Sequence, residues 1–171
     1  MDGLPSMWRT ELWHPLVVHF PIALLLVGTA LRLLGGFRRR WDRLHVLAVS
    51  GRVLLGLGTI GAWAAIYTGT LADAEVARSL CDPTVVEAHE FWAYRVAWLF
   101  TAALALDAAV WPLRRTGWGQ PWSERGLLAL LAGCLLLGSV GLGYVGHLGS
   151  KLVYQQGAAV YTPAPDCKSF E

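Results

Sequence analysis

Leu12-Trp13-His14-Pro15-Leu16-Val17-Val18-His19-Phe20-Pro21-Ile22-Ala23-Leu24-Leu25-Leu26-Val27-Gly28-Thr29-Ala30-Leu31 decides the fold: twenty residues between Glu11 and Arg32 without one Asp, Glu, Lys or Arg. About 20 apolar residues in a helix cross the hydrocarbon core of a bilayer. The pattern recurs. Twenty more uncharged residues separate Arg52 from Asp73, and twenty-five separate Arg125 from Lys151. A fourth stretch, Phe91 to Trp111, is broken only by Arg95 and Asp107 towards its ends, where long side chains reach back to the interface.

These stretches imply an all-α, integral membrane four-helix bundle in one domain spanning 1–171. The helices fall near 13–34, 49–71, 84–111 and 126–149, running up-down-up-down, with a tail over 150–171. Composition agrees: 55% of residues are apolar and 15% charged, too few charges for a water-facing surface. A net charge of +2 argues against a nucleic-acid partner. Asp82-Pro83 reads as an N-cap followed by proline at the first helical position. Gly35-Gly36 marks the end of the first helix and Pro112 the end of the third. The first apolar stretch lacks a basic leader and a small-residue cleavage site, so it reads as a retained helix.

Basic residues orient the bundle. The first connection holds Arg38, Arg39, Arg40 and Arg43, and the third holds Arg114, Arg115 and Arg125. The second carries Arg78 against Asp73, Glu75 and Asp82. The basic loops therefore belong in the cytoplasm of a bacterial inner membrane, and both termini in the periplasm. Cys81 and Cys167 then share an oxidising compartment, where they either form a disulfide or stay as two free thiols. Cys134 is mid-helix and reads as packing.

Four of the five histidines gather at the outer end: His14 and His19 in the first helix, His89 at the start of the third, His147 at the end of the fourth. His45 sits apart, beside the arginine-rich loop. Ionisable groups within a membrane point to function, and imidazole is a common ligand of metals and of haem iron. His14 and His19 are about 7.5 Å apart in depth and point about 140° apart, so they do not share one ion. Helices one and three are diagonal across the bundle, which makes His19 and His89 the expected axial pair of a haem b, with His147 and His14 as alternative ligands. One haem is expected, or two if both pairs bind. The competing reading is four interfacial histidines bonded to water, headgroups or backbone.

Arg95 either neutralises a haem propionate or reaches outward to Glu90. Gly143 and Gly146, beside His147, are the glycines placed to give a flat cofactor clearance. The other glycines of helices two and four read as helix-packing devices. Asp107 is expected to pair with Arg32 or Arg52.

The segment His14-Pro15-Leu16-Val17-Val18-His19-Phe20-Pro21-Ile22-Ala23-Leu24-Leu25 resembles the opening motif of a family of small bacterial membrane proteins, the domain of unknown function 2231. Gly146-His147-Leu148-Gly149-Ser150-Lys151-Leu152-Val153-Tyr154-Gln155-Gln156-Gly157 resembles its closing motif, with Ser150 where a second glycine is more usual. His89 matches the family's remaining histidine. The resemblance runs from the first helix to Val160. It implies a predicted membrane protein of a kind sometimes joined to Rieske-type iron–sulfur modules, which favours electron transfer.

Three functions follow as expectations. The first is a b-type cytochrome exchanging electrons with a membrane or periplasmic redox partner. The second is a haem-free copper, zinc or iron site formed by the histidines with Glu90 or Tyr154. The third is an accessory subunit of a respiratory complex. No nucleophile motif, Walker loop or Rossmann fingerprint suggests a substrate-modifying enzyme.

Overall fold

The computed structural model describes residues 8–36, 42–116 and 121–160. Arg38, Arg39, Arg40 and Cys167 lie outside the described residues. Within them the chain is helical: a short 3-10 turn, Thr10–Leu12, then α1 (Trp13–Gly36), α2 (Asp42–Val76), a second 3-10 turn at Ala77–Ser79, α3 (Thr84–Thr116) and α4 (Pro121–Tyr154). All four long helices are long and apolar enough to cross a membrane. They outrun the apolar stretches at their polar ends, because intrahelical bonding continues where hydrocarbon stops. Pro112 does not end α3, which runs on to Thr116. A proline removes one backbone donor, and the bonds around it carry the helix on.

Asp82 caps α3. Its Oδ1 accepts the Thr84 backbone N–H at 2.9 Å and the Thr84 hydroxyl at 2.6 Å, and the Glu87 N–H reaches the Pro83 carbonyl at 3.1 Å. Pro83 thus stands one residue before the first helical position, Thr84, and its carbonyl accepts the first bond of the helix, where its own missing donor costs nothing. The other end of the pair is closed by Gly157, left-handed at φ 68. The Ala158 N–H returns to the Leu152 carbonyl at 2.9 Å, the reversal that ends many helices. Buried Gln156 then accepts the Asp82 backbone N–H at 3.3 Å, joining the end of α4 to the start of α3.

Two hairpins make the bundle. α1 packs most extensively on α2, and α3 on α4, while α2–α3 and α1–α4 meet over less surface. Along α1, positions 14, 21, 25 and 28 meet positions 69, 61, 58 and 55 of α2, so the pair is antiparallel. Glycine permits the closeness: a Cβ on Gly51 would stand 2.5 Å from the Arg32 backbone nitrogen. Along α3, positions 89, 96 and 100 meet 149, 141 and 138 of α4, antiparallel again. Leu25, Leu55, Val96, Phe100, Ala103, Leu131 and Leu135 form the buried core. Side chains such as Leu16, Phe20, Ile60 and Val140 are exposed outward, as lipid-facing residues are.

The hairpins are copies of one another. Each α1 position corresponds to an α3 position 75 residues later, and each α2 position to an α4 position 80 later. His14, Pro21 and Leu25 contact Gly69, Gly61 and Gly58; His89, Val96 and Phe100 contact Gly149, Gly141 and Gly138. Thr59 bonds the Leu55 carbonyl at 2.7 Å, and Ser139 bonds the Leu135 carbonyl at 2.8 Å. The local sequence repeats too: Leu55-Gly56-Leu57-Gly58-Thr59-Ile60-Gly61 against Leu135-Leu136-Leu137-Gly138-Ser139-Val140-Gly141. Equivalent positions also meet each other, His14 with His89 and Arg32 with Asp107. That is the signature of a two-fold axis, here between the halves of one chain.

Candidate functional site

At one end of that axis stand His14 and His89, their ring centroids 6.1 Å apart and their planes at 90°. His14 comes from the first turn of α1 and His89 from the second turn of α3. Nδ1 of His14 lies 2.8 Å from the Ala65 carbonyl on α2, and Nδ1 of His89 lies 3.1 Å from the Val145 carbonyl on α4. A carbonyl only accepts, so each Nδ1 carries the proton, and in the neutral ring each Nε2 keeps a lone pair. Fixing the tautomer by a carbonyl behind the ring is how proteins prepare an imidazole as a ligand.

Both carbonyls belong to helix interiors and are already bonded along their helices. They are reachable because glycine follows four residues later. The side chain at i+4 lies over the carbonyl of residue i, and here those positions are Gly69 and Gly149. A Cβ at Gly69 would stand 3.2 Å from Nδ1 of His14, and one at Gly149 would stand 3.3 Å from Cε1 of His89. One device, histidine to uncovered carbonyl, is therefore built twice.

The two rings border a cavity of about 60 Å³, walled by Val18, Ile22, Ala62, Ala93, Ala97 and Leu142 among others. That holds an ion or a few waters. A metal–imidazole bond of about 2.0–2.1 Å sets each ring centre about 3 Å from the metal, so two ligands on opposite sides stand about 6 Å apart. The same separation also fits an ordinary edge-to-face ring pair.

The remaining sequence candidates lie elsewhere. The structure pairs His89 with His14, not with His19. His19 is exposed, its Nδ1 turned back to the Pro15 carbonyl at 2.6 Å, because the 140° offset that separates it from His14 carries it off the buried face. His147 is exposed on α4. Gly143 and Gly146 are exposed, with open space where a Cβ would stand, so they clear no room for either imidazole of this pair. Arg95 meets neither ring and does not pair with Glu90; its guanidinium lies 3.1 Å over the Phe91 ring on the outer surface. Tyr154 is 87% exposed. No group of three or more His, Cys, Asp or Glu able to hold a metal occurs among the described residues. Cys134 is a free thiol and Cys81 enters a disulfide.

The other end of the axis is polar. Asp107, 2% exposed, accepts from Arg32 Nε at 2.9 Å and from Arg32 Nη2 on the same oxygen. Arg52 Nε bonds the second oxygen and Arg52 Nη2 lies 3.3 Å from the first. Both arginines anticipated for Asp107 thus bind it, and Arg32 itself is 3% exposed. The cluster clamps α1, α2 and α3 and lies far from the imidazoles, which makes it structural.

A family described as predicted membrane protein (DUF2231) matches residues 12–162. No curated protein and no solved structure matches the chain.

Proposed function

The chain belongs to this family of predicted membrane proteins, and from that premise we propose that it is a membrane b-type cytochrome whose haem iron is ligated by His14 and His89. One observation carries the reading: two histidines from opposite hairpins, each with Nδ1 tied to a backbone carbonyl and Nε2 left as a donor, face one cavity at a ligand-pair spacing. The donor set fits haem iron, which accepts axial imidazoles. Bound there, the haem would supply one-electron transfer. The protein's part is to fix both tautomers, hold the rings across the axis and keep the surroundings apolar.

The wider setting belongs to the same proposal. The antiparallel hairpins support an up-down-up-down course. The arginine-rich connections support a bacterial inner membrane with both termini and the histidine end on the periplasmic side, where a redox partner would dock. A disulfide between Cys81 and Cys167 would fasten the tail there.

A second reading has its own support. Two donors and a cavity of about 60 Å³ suit a bare ion such as Cu⁺, since imidazole also serves copper. Visible spectroscopy of the full chain purified from haem-replete cells tests the first. The expected result is a Soret band and a reduced α-band that His14→Ala and His89→Ala remove. A wild-type protein without a Soret band, carrying copper by elemental analysis, overturns haem in favour of the ion.

A further inference from the structure

Arg32 and Asp107 occupy equivalent places in the two halves and cancel each other's charge. Arg52 is a second base on the same carboxylate, and it has no counterpart: the equivalent position, 80 residues later, is Ala132. Two guanidinium groups on one carboxylate leave a positive charge in excess. Asp107 has no capacity left to absorb it. Its oxygens already accept from Nε and Nη2 of each arginine, about as many bonds as a carboxylate takes. The Nε–Nη2 edge of Arg52 faces Asp107, which leaves its Nη1–Nη2 edge for a second anion.

An unbalanced charge is costly beside hydrocarbon, and the flank of Arg52 is apolar. Val49 and Gly56 stand one turn to either side of it on α2 and Val53 follows it. Both valines are exposed, and Gly56 has open space where a Cβ would stand. The depth is set as well. Arg32 closes the uncharged stretch of α1 and Arg52 opens that of α2, so the cluster marks the boundary between hydrocarbon and headgroups. A guanidinium edge matches phosphate with two parallel N–H bonds, and basic pockets between membrane helices hold anionic head groups.

We propose that the Arg32–Arg52–Asp107 cluster is the seat of one anionic phospholipid. Its phosphodiester bonds the free edge of Arg52 and cancels the excess charge. Its acyl chain runs along Val49, Val53 and the open groove at Gly56. A net anion is required, because a zwitterionic headgroup brings its own cation and leaves the excess in place. The site lies at the opposite end of the axis from His14 and His89 and does not depend on what they ligate.

The test titrates the full chain in neutral detergent with phosphatidylglycerol, with phosphatidylcholine of the same acyl chains and with inorganic phosphate. Native mass spectrometry counts what is bound. The expected result is one tightly held phosphatidylglycerol per chain, preferred about tenfold or more over phosphatidylcholine. Arg52→Gln, which leaves the Arg32–Asp107 pair in place, should abolish that preference. Gly56→Leu, which puts a side chain into open space, should weaken phosphatidylglycerol binding without disturbing the fold. Replacing Arg38, Arg39 and Arg40 together by Gln should keep the preference, since lipids gathered loosely by that connection are not the site. No preference in wild type, a preference that survives in a helical, monodisperse Arg52→Gln protein, binding unaffected by Gly56→Leu, or a preference lost with the connection arginines overturns the inference. Inorganic phosphate bound as tightly as phosphatidylglycerol overturns it in favour of a free anion.

Discussion

At the scale of single residues, the imidazoles were legible and their partners were not. Ionisable side chains in apolar helices announce themselves, so all four outer histidines stand out from the sequence alone, with His19 and His89 as the expected pair. Which histidines meet depends on how each helix is rotated. α1 turns His14 inward and His19 outward, and that choice is made by Pro21, Leu25 and Gly28 packing on α2. The glycines that matter are Gly69 and Gly149, each four residues beyond a carbonyl taken by a histidine. Sequence reading favoured Gly143 and Gly146 for their nearness to His147, but proximity along the chain says nothing about which face a residue occupies. Gly69→Ala and Gly149→Ala should each displace the neighbouring ring and break its Nδ1 bond. Loss of such a supporting bond typically lowers metal affinity about 10–100-fold. Haemin titration of the two variants checks this, and unchanged affinity in both would remove the carbonyl bonds from the account.

At the scale of helices, long apolar stretches located all four elements, three of them free of charge and one interrupted only near its ends, because hydrocarbon thickness imposes a single ruler on every span. The ends were harder. Asp82-Pro83 was readable as a cap since its chemistry is local, whereas Pro112 misled because one missing donor does not unmake a long helix. The Asp82 cap also carries a pH signature. The hydroxyl of Thr84, then its backbone N–H, stabilise the charged carboxylate and hold its pKa below the usual carboxylate range. A folded-state pKa that is depressed contributes stability above the unfolded value, and that contribution is lost as pH falls through the folded one. Protection of the Thr84 amide, measured as exchange relative to the intrinsic rate at each pH, should therefore fall on acidification through that lowered pKa. Asp82→Asn, which keeps a cap without the charge, should show no such step. The internal repeat was present in the sequence and still hard to see. Its first helices are offset by 75 residues and its second by 80, so no single period aligns both, and only the contacts show that they belong together.

For the whole molecule, the two-fold axis organises everything: imidazoles at one end, an ion cluster at the other, core between. Asp107→Asn should be costly, because it leaves the buried Arg32 guanidinium without its counter-charge. Breaking such a pair costs about 3–5 kcal/mol, and thermal unfolding in detergent should drop accordingly. Arg52→Ala should cost less, since Arg52 is 34% exposed and reaches polar surroundings. Equal losses would mean that burial does not govern the cluster. The clamp also bears on assembly. Because equivalent positions face each other, two identical hairpins would set arginine against arginine or aspartate against aspartate at the axis. Only unlike halves neutralise one another. Covalent fusion of the halves is what allows one copy to carry the base and the other the acid. It sets base against acid at the axis within one chain, where a like hairpin from a neighbour would bring like charge.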